Sequence, residues 1–102
     1  MIGAPRRSTA ALASILHTDE ATVARLTRMR ALPKPERDGY DMERVAACRR
    51  RRPWLDMLDR PMSEREIRER IDPRLSIPPG RGLTMGGRRY VTPAALFAAL
   101  SA

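Results

Sequence analysis

The chain has 102 residues, of which 42% are apolar and only four are aromatic. It has room for about one small domain or two very small modules, so a large catalytic cleft is not expected. The 20 basic residues exceed the 12 acidic ones, and the formal net charge of +8 favours a polyanionic partner, with DNA or RNA first.

Several classes of protein are excluded by what the sequence lacks. A single cysteine, Cys48, rules out an internal disulfide, and with His17 as the only histidine the chain has too few ligands for structural zinc. We therefore expect neither a metal nor a cofactor. No apolar run approaches the roughly 20 residues that span a bilayer, and the first residues lack the apolar segment of a signal peptide. The sequence predicts a cytoplasmic protein with no membrane partner.

The charge is unevenly distributed, with a net +6 in residues 1–52 and +2 in residues 53–102. The polyanion is therefore expected to meet the first half. Pro53 and Pro61 bracket a short stretch that separates two helical patterns, which predicts one module at 8–52 and a second at 53–102. All basic residues but one are arginine, which fits either bidentate recognition or a coding bias.

The first predicted helix covers about Thr9 to Leu16, because apolar residues recur there with helical spacing after the good N-caps Ser8 and Thr9. Asp19 is a second N-cap. Val23 and Leu26 then recur on one side of a short helix that follows a tight turn.

Residues 32–40 contain the pair Asp38-Gly39, which is typical of a tight hairpin turn, so this segment is predicted to form a small wing. Asp41 caps a third helix from Met42 to about Arg52, where Pro53 ends it. The predicted order is helix, turn, helix, wing, helix.

In the second half, Ser63 and Glu66 form a capping box before a helix that ends near Ile71. Gly86-Gly87 predicts a hairpin, and a last helix covers Pro93 to Leu100. The expected fold is mainly α, a winged helix-turn-helix with a short β-hairpin wing plus a second small helix-hairpin-helix module. The segments that start at Tyr40 and Tyr90 hint at a degenerate repeat.

Residues 8–52 resemble the winged helix-turn-helix of excisionases, MerR-type regulators and phage terminase small subunits. The matching features are Leu12-Ala13, the cap Asp19, Thr22-Val23 and the Leu32-Pro33 that opens the wing. The family usually has glycine in the turn and at the end of the second helix, where this chain has His17 and Arg30. Arginine adopts left-handed backbone less readily, so we expect the second helix to end differently.

The second helix supplies the first candidate DNA-binding residues. A rotation of 100° per residue around the helix axis places Ala21, Arg25 and Arg28 on its outer face. An arginine on this face can donate two hydrogen bonds to a guanine base. Thr22 is expected to contact a base or a phosphate. The alternative is that both arginines are ordinary solvated residues.

Further candidates come from the wing and the third helix. Lys34 and Arg37 on the wing are expected to contact phosphates. Arg49 and Arg50 belong to a run of four arginines, Arg49–Arg52, that either binds phosphates or complements the helix dipole. The pair Arg6-Arg7 is expected to be a solvated tail.

The remaining features have plainer interpretations. Arg88 and Arg89 at the second hairpin are a possible further nucleic-acid contact.

Cys48 is expected to be a small buried thiol rather than a nucleophile, and no enzyme activity is predicted. The apolar residues of the second half are expected to pack on the first module or on a second copy, since they offer more apolar surface than two short helices and a hairpin can bury alone; these are Trp54, Leu55, Leu58, Ile67, Ile71, Leu96, Phe97 and Leu100.

The sequence thus predicts a protein that binds double-stranded DNA sequence-specifically, and the resemblance implies a phage or mobile-element factor: an excisionase-like protein, a transcription regulator or a terminase small subunit. Expected partners are duplex DNA and either further copies of the chain or a larger recombination, packaging or transcription partner. Residues 53–102 would carry that association. The alternative is a structural adaptor that works through protein assembly and binds nucleic acid only non-specifically.

Overall fold

The computed structural model describes residues 6–100, which form five α-helices, one 3-10 helix and two small antiparallel sheets. The fold is mainly α-helical with a β-hairpin, as the sequence predicts. In chain order the elements are β1 (Arg6–Arg7), α1 (Thr9–Ile15), α2 (Glu20–Arg28), β2 (Tyr40–Asp41), α3 (Met42–Arg51), the 3-10 helix (Pro53–Met57), β3 (Met62–Ser63), α4 (Glu64–Arg70), β4 (Leu83–Met85), β5 (Arg88–Val91) and α5 (Pro93–Leu100).

Side-chain caps begin the first two helices where the sequence predicts them. The Ser8 hydroxyl accepts a hydrogen bond from the Ala11 amide at 3.1 Å, and the Asp19 carboxylate accepts one from the Thr22 amide at 2.7 Å. Each cap satisfies a backbone donor that has no partner within its helix. The Asp19 cap lies in the short turn between α1 and α2, which pack against each other.

Both α1 and α2 end at a residue with left-handed backbone, although neither residue is glycine. The φ angle is 56° at His17 and 63° at Arg30. After α2, the Ala31 amide donates to the Leu26 carbonyl at 2.9 Å and the Arg30 amide donates to the Thr27 carbonyl at 3.1 Å, which is the Schellman pattern. The prediction that arginine would change this ending is therefore wrong: Arg30 adopts the conformation that glycine usually supplies.

The described chain begins with strand β1, and the prediction of a solvated tail at Arg6-Arg7 is wrong. Arg7 lies opposite Tyr40, and Arg6 lies opposite Asp41, in an antiparallel pair. The Arg6 guanidinium also lies 3.1 Å from the Glu36 carboxylate. These contacts tie the N-terminal strand to the segment that leads into α3.

The predicted wing is smaller than a regular hairpin. Glu36 and Gly39 form a single β-bridge across the turn at Arg37 and Asp38, and β2 pairs with β1 instead of with residues 33–35. Gly39 has φ 112°, and a Cβ at this position would collide with the Arg7 carbonyl oxygen. Only glycine allows this close approach of the turn to β1.

The second half follows its predicted elements closely. Ser63 and Glu66 form the capping box before α4, and the predicted helix over Pro93–Leu100 is present as α5. The hairpin at Gly86-Gly87 joins β4 to β5, and β5 also pairs with β3 in the order β3-β5-β4. Each half thus runs from a strand to a capped helix, then to a return strand and a final helix. The second half has no counterpart of α2 among its described residues.

One buried apolar cluster joins the two halves of the chain. The aromatic rings of Trp54 and Phe97 lie 5.4 Å apart, and both belong to the cluster that contains the inner residues of α1, α2 and α3. A second, smaller cluster lies under β3, α4 and β5. The second half therefore packs on the first, which is one of the two arrangements that the sequence predicts. The first cluster comprises Leu12, Ala13, Leu16, Val23, Leu26, Ala31, Leu32, Tyr40, Val45, Cys48, Trp54, Leu55, Leu58 and Phe97.

Candidate nucleic-acid interface

The outer face of α2 is the first part of the candidate interface. Ala21 and Arg28 are exposed and Arg25 is half-buried, while Val23 and Leu26 on the opposite side are fully buried. Within residues 6–100, no carboxylate lies within 4.0 Å of the guanidinium of Arg25 or Arg28. Both guanidinium groups therefore keep their donors available for an external acceptor.

Thr22 lies outside this exposed face, contrary to its prediction as a DNA contact. It is only 2% exposed, so its hydroxyl cannot reach a base or phosphate. Hydrogen bonds from the Thr22 side chain and then from its backbone amide lower the pKa of Asp19, and the charge of Arg25 adds to the effect. Thr22 therefore serves the N-cap of α2 and is not part of the interface.

A pair of hydroxyl groups fixes α2 relative to strand β2. The Thr27 Oγ1 lies 2.7 Å from the Tyr40 hydroxyl, and Thr27 Oγ1 also donates to the Val23 carbonyl at 2.9 Å. Because Tyr40 is buried in the first core cluster and Thr27 is half-buried, this contact is partly shielded from competing water. The orientation of α2 is thereby tied to the turn at residues 36–39.

A cleft between the end of α2, the segment 32–34 and the face of α3 is the second part of the candidate interface. We refer to it as the basic cleft. Leu32, Pro33 and Cys48 contribute apolar surface to its lining. No acidic residue is among its lining residues, and five side chains there carry a positive charge: Arg28, Arg30, Lys34, Arg44 and Arg51.

Arg30 and Arg44 belong to the basic cleft although the sequence does not predict them as DNA contacts, and Arg51 is predicted only as part of the arginine run. Arg44 and Arg51 are seven residues apart on α3, which places them on the same side of that helix, and this spacing is a signal that could have been used. Arg30 reaches the cleft because the left-handed turn ends α2 there. Arg44 has one acidic neighbour, Asp41, at 4.0 Å.

The other predicted basic residues are distributed over several places. Arg37 is exposed in the turn beside the bridge, and Arg50 is exposed on α3. Arg49 does not line the basic cleft: its Nε lies 2.7 Å from the Asp56 carboxylate, in an ion pair between α3 and the 3-10 helix. The arginine run 49–52 is thus divided between a local ion pair, the basic cleft and solvent.

The second hairpin uses one of its two arginines structurally. The Arg89 guanidinium donates to the carbonyl oxygens of Pro78 and Arg81, and so it holds the loop before β4. Arg88 is exposed. Cys48 is buried, as the sequence predicts.

Comparison with known proteins gives no match: no protein-family model, no curated protein and no solved structure is similar to this chain. None of the helices in residues 6–100 has the length and apolar character needed to cross a bilayer.

Proposed function

We propose that this protein binds double-stranded DNA as a winged helix-turn-helix, with α2 in the major groove and the DNA backbone against the basic cleft. The observation that carries the proposal is the convergence of five cations on one cleft beside the exposed face of α2. Arg28 belongs to both surfaces, which are therefore contiguous. Phosphates would position the DNA, and Arg25 would read a guanine edge.

The distribution of aromatic residues favours duplex DNA over single-stranded nucleic acid. Proteins that bind single strands stack the bases on exposed aromatic rings. Here Trp54, Phe97 and Tyr40 are buried in the core, and Tyr90 is half-buried in strand β5. The described residues offer positive charge but no exposed aromatic ring on which a base could stack. This combination favours contacts with the phosphate backbone of duplex DNA.

A biological role follows from the resemblance of residues 8–52 to excisionases, MerR-type regulators and terminase small subunits. On that basis we propose a phage or mobile-element factor that positions a larger machine or represses a promoter. A structural adaptor with only non-specific nucleic-acid binding is the competing function. The two differ in base readout, because an adaptor needs no preferred site.

The first experiment measures duplex binding by fluorescence anisotropy over a range of salt concentrations. Each phosphate contact contributes about −0.9 to the slope of log affinity against log salt, so five contacts give about −4.5. Affinity should then fall about 500-fold between roughly 50 and 200 mM salt. The double variant Arg44→Gln/Arg51→Gln removes two contacts, and its affinity should fall only about 40-fold over the same range.

A matched control removes the same charge elsewhere. Arg60→Gln/Arg65→Gln changes two exposed arginines that do not line the basic cleft, and it should keep the wild-type slope. A flat salt response of the wild type would refute duplex binding through phosphates. Equal slopes for the two double variants would show that the basic cleft is not the contact surface.

The second experiment separates base readout from non-specific binding. After selection of a preferred duplex from a random pool, Arg25→Ala should lose about 1–3 kcal/mol of binding free energy on that duplex and relax its preference at one position. Uniform weakening on all sequences would make Arg25 a phosphate contact. Failure of the selection to enrich any sequence would favour the adaptor.

A further inference from the structure

A second surface lies where the two halves of the chain meet, and the proposed DNA contacts do not account for it. We refer to it as the apolar groove. Its cavity of about 570 Å³ lies between the ends of α2 and α3 on one side and those of α4 and α5 on the other. Its apolar lining residues are Met29, Ala31, Trp54, Ile71, Leu75, Phe97 and Leu100.

The apolar groove combines a buried floor with an exposed rim. Trp54 and Phe97 are almost fully buried, whereas Met29 and Leu100 are 49% and 50% exposed. These two are among the few large apolar side chains that the described residues leave in water, and both line the same groove. Apolar surface gathered in this way is typical of an interaction site.

The charges around the apolar groove determine what kind of partner would fit. Arg51, Arg52 and Arg70 line it, and Asp72 is its one acidic residue. The Asp72 carboxylate already accepts two hydrogen bonds from the Arg74 guanidinium, at 3.1 and 3.0 Å. The Arg70 guanidinium lies 4.0 Å from the Glu66 carboxylate, whereas no carboxylate of the described residues lies within 4.0 Å of Arg51 or Arg52. The net charge of the rim is therefore positive, and it attracts carboxylates.

We propose that the apolar groove binds an amphipathic helix of a partner protein, with apolar side chains against the floor and acidic side chains against Arg52 and Arg70. A helix laid across the groove covers both Met29 and Leu100. A second copy of this chain is a poorer occupant, because it carries the same positive rim and the same net charge of +8. Duplex DNA is also poorer, since its phosphates gain nothing from an apolar floor.

This inference goes beyond DNA binding and is tested independently of it. Arg51 is the one residue that lines both the basic cleft and the apolar groove, so the experiment leaves Arg51 unchanged. Trp54 is the only tryptophan in the chain, and its fluorescence therefore reports directly on the groove. No label is required.

The probe is a synthetic peptide of about 15 residues, with leucines at helical spacing on one face and glutamates elsewhere. The control peptide has lysine in place of every glutamate. Titration of the full chain should change the Trp54 emission saturably, and the acidic peptide should bind about tenfold more tightly than the lysine peptide. Arg70→Glu and Leu100→Ser should each weaken binding of the acidic peptide about fivefold or more. Leu83→Ser, at an exposed position on β4, should leave it unchanged.

Several results would overturn the proposal. These are the absence of a saturable Trp54 response to the acidic peptide, equal binding of the two peptides, and groove variants that bind as the wild type does. Loss of duplex binding by Leu100→Ser, with its melting temperature unchanged, would assign the groove to the DNA surface instead. Sedimentation that shows a wild-type dimer dissociated by Leu100→Ser would assign it to a second copy.

Discussion

A chain that stops at Pro53 should not fold, even though it retains the whole segment that resembles a winged helix-turn-helix. Truncation removes Trp54, Leu55, Leu58 and Phe97 from the first core cluster. Each such side chain contributes about 1.5–3 kcal/mol when it is fully buried, so the loss is roughly 6–12 kcal/mol. The entire stability of a small domain is about 5–15 kcal/mol. The fragment would therefore retain little or no net stability.

Circular dichroism and thermal melting of a fragment comprising residues 1–53 would test this expectation. We expect weak helical signal, no cooperative melting transition and no duplex binding. A matched control is the full chain with Ile67→Ala, which damages only the second cluster and should still melt cooperatively at a lower temperature. A fragment that melts cooperatively and binds DNA would show that residues 1–53 form a stable hydrophobic core on their own. The expectation that they require the apolar side chains of the second half would then be wrong.

Three smaller perturbations test individual contacts. Arg30→Gly should stabilise the protein by about 0.5–1 kcal/mol in chemical denaturation. Glycine relieves about 1–2 kcal/mol of left-handed backbone strain, which exceeds the cost of the higher conformational entropy that it gives the unfolded chain. Equal or lower stability would show that Arg30 is not strained. Tyr40→Phe should cost about 0.5–1.5 kcal/mol through loss of the Thr27 hydrogen bond, and an unchanged melting temperature would show that the bond contributes nothing. Asp19→Ala should cost about 0.5–2 kcal/mol at neutral pH through loss of the N-cap. The folded-state pKa of Asp19 lies below its usual value of 3.8. The stability difference between the wild type and Asp19→Ala should therefore persist above pH 3.8 and shrink as the pH falls through the lowered pKa. A stability difference that does not change with pH would exclude the negative charge of Asp19 as its source.

The features that the sequence predicts well are local. The caps Ser8, Asp19 and Ser63 act on amides three residues away, and the hairpin at Gly86-Gly87 joins adjacent strands, so a short window contains all of their determinants. The same reasoning failed at Thr22. Helical stepping places Thr22 at the boundary between the outer and the buried face, so the spacing alone does not decide its burial. In the structure it is 2% exposed, and it bonds the capping carboxylate of Asp19.

The features that the sequence does not predict depend on distant partners. The sequence around Arg6 and Arg7 contains no signal that these residues pair with Tyr40 and Asp41 in a sheet. The basic cleft likewise draws its charges from α2, the following loop and α3, and its composition follows only from their packing. Arg49 could not be separated from its neighbours in the arginine run until the position of Asp56 was known.

The shared core also has a consequence for synthesis on the ribosome. Leu12 near the start of the chain and Phe97 near its end belong to one buried cluster, and α5 packs against α2. Contacts of such high sequence separation close late and slow the folding of a chain of this size. During translation, the side of α2 that packs against α5 is therefore expected to stay uncovered until α5 has emerged, and this exposed apolar surface favours aggregation of the nascent chain.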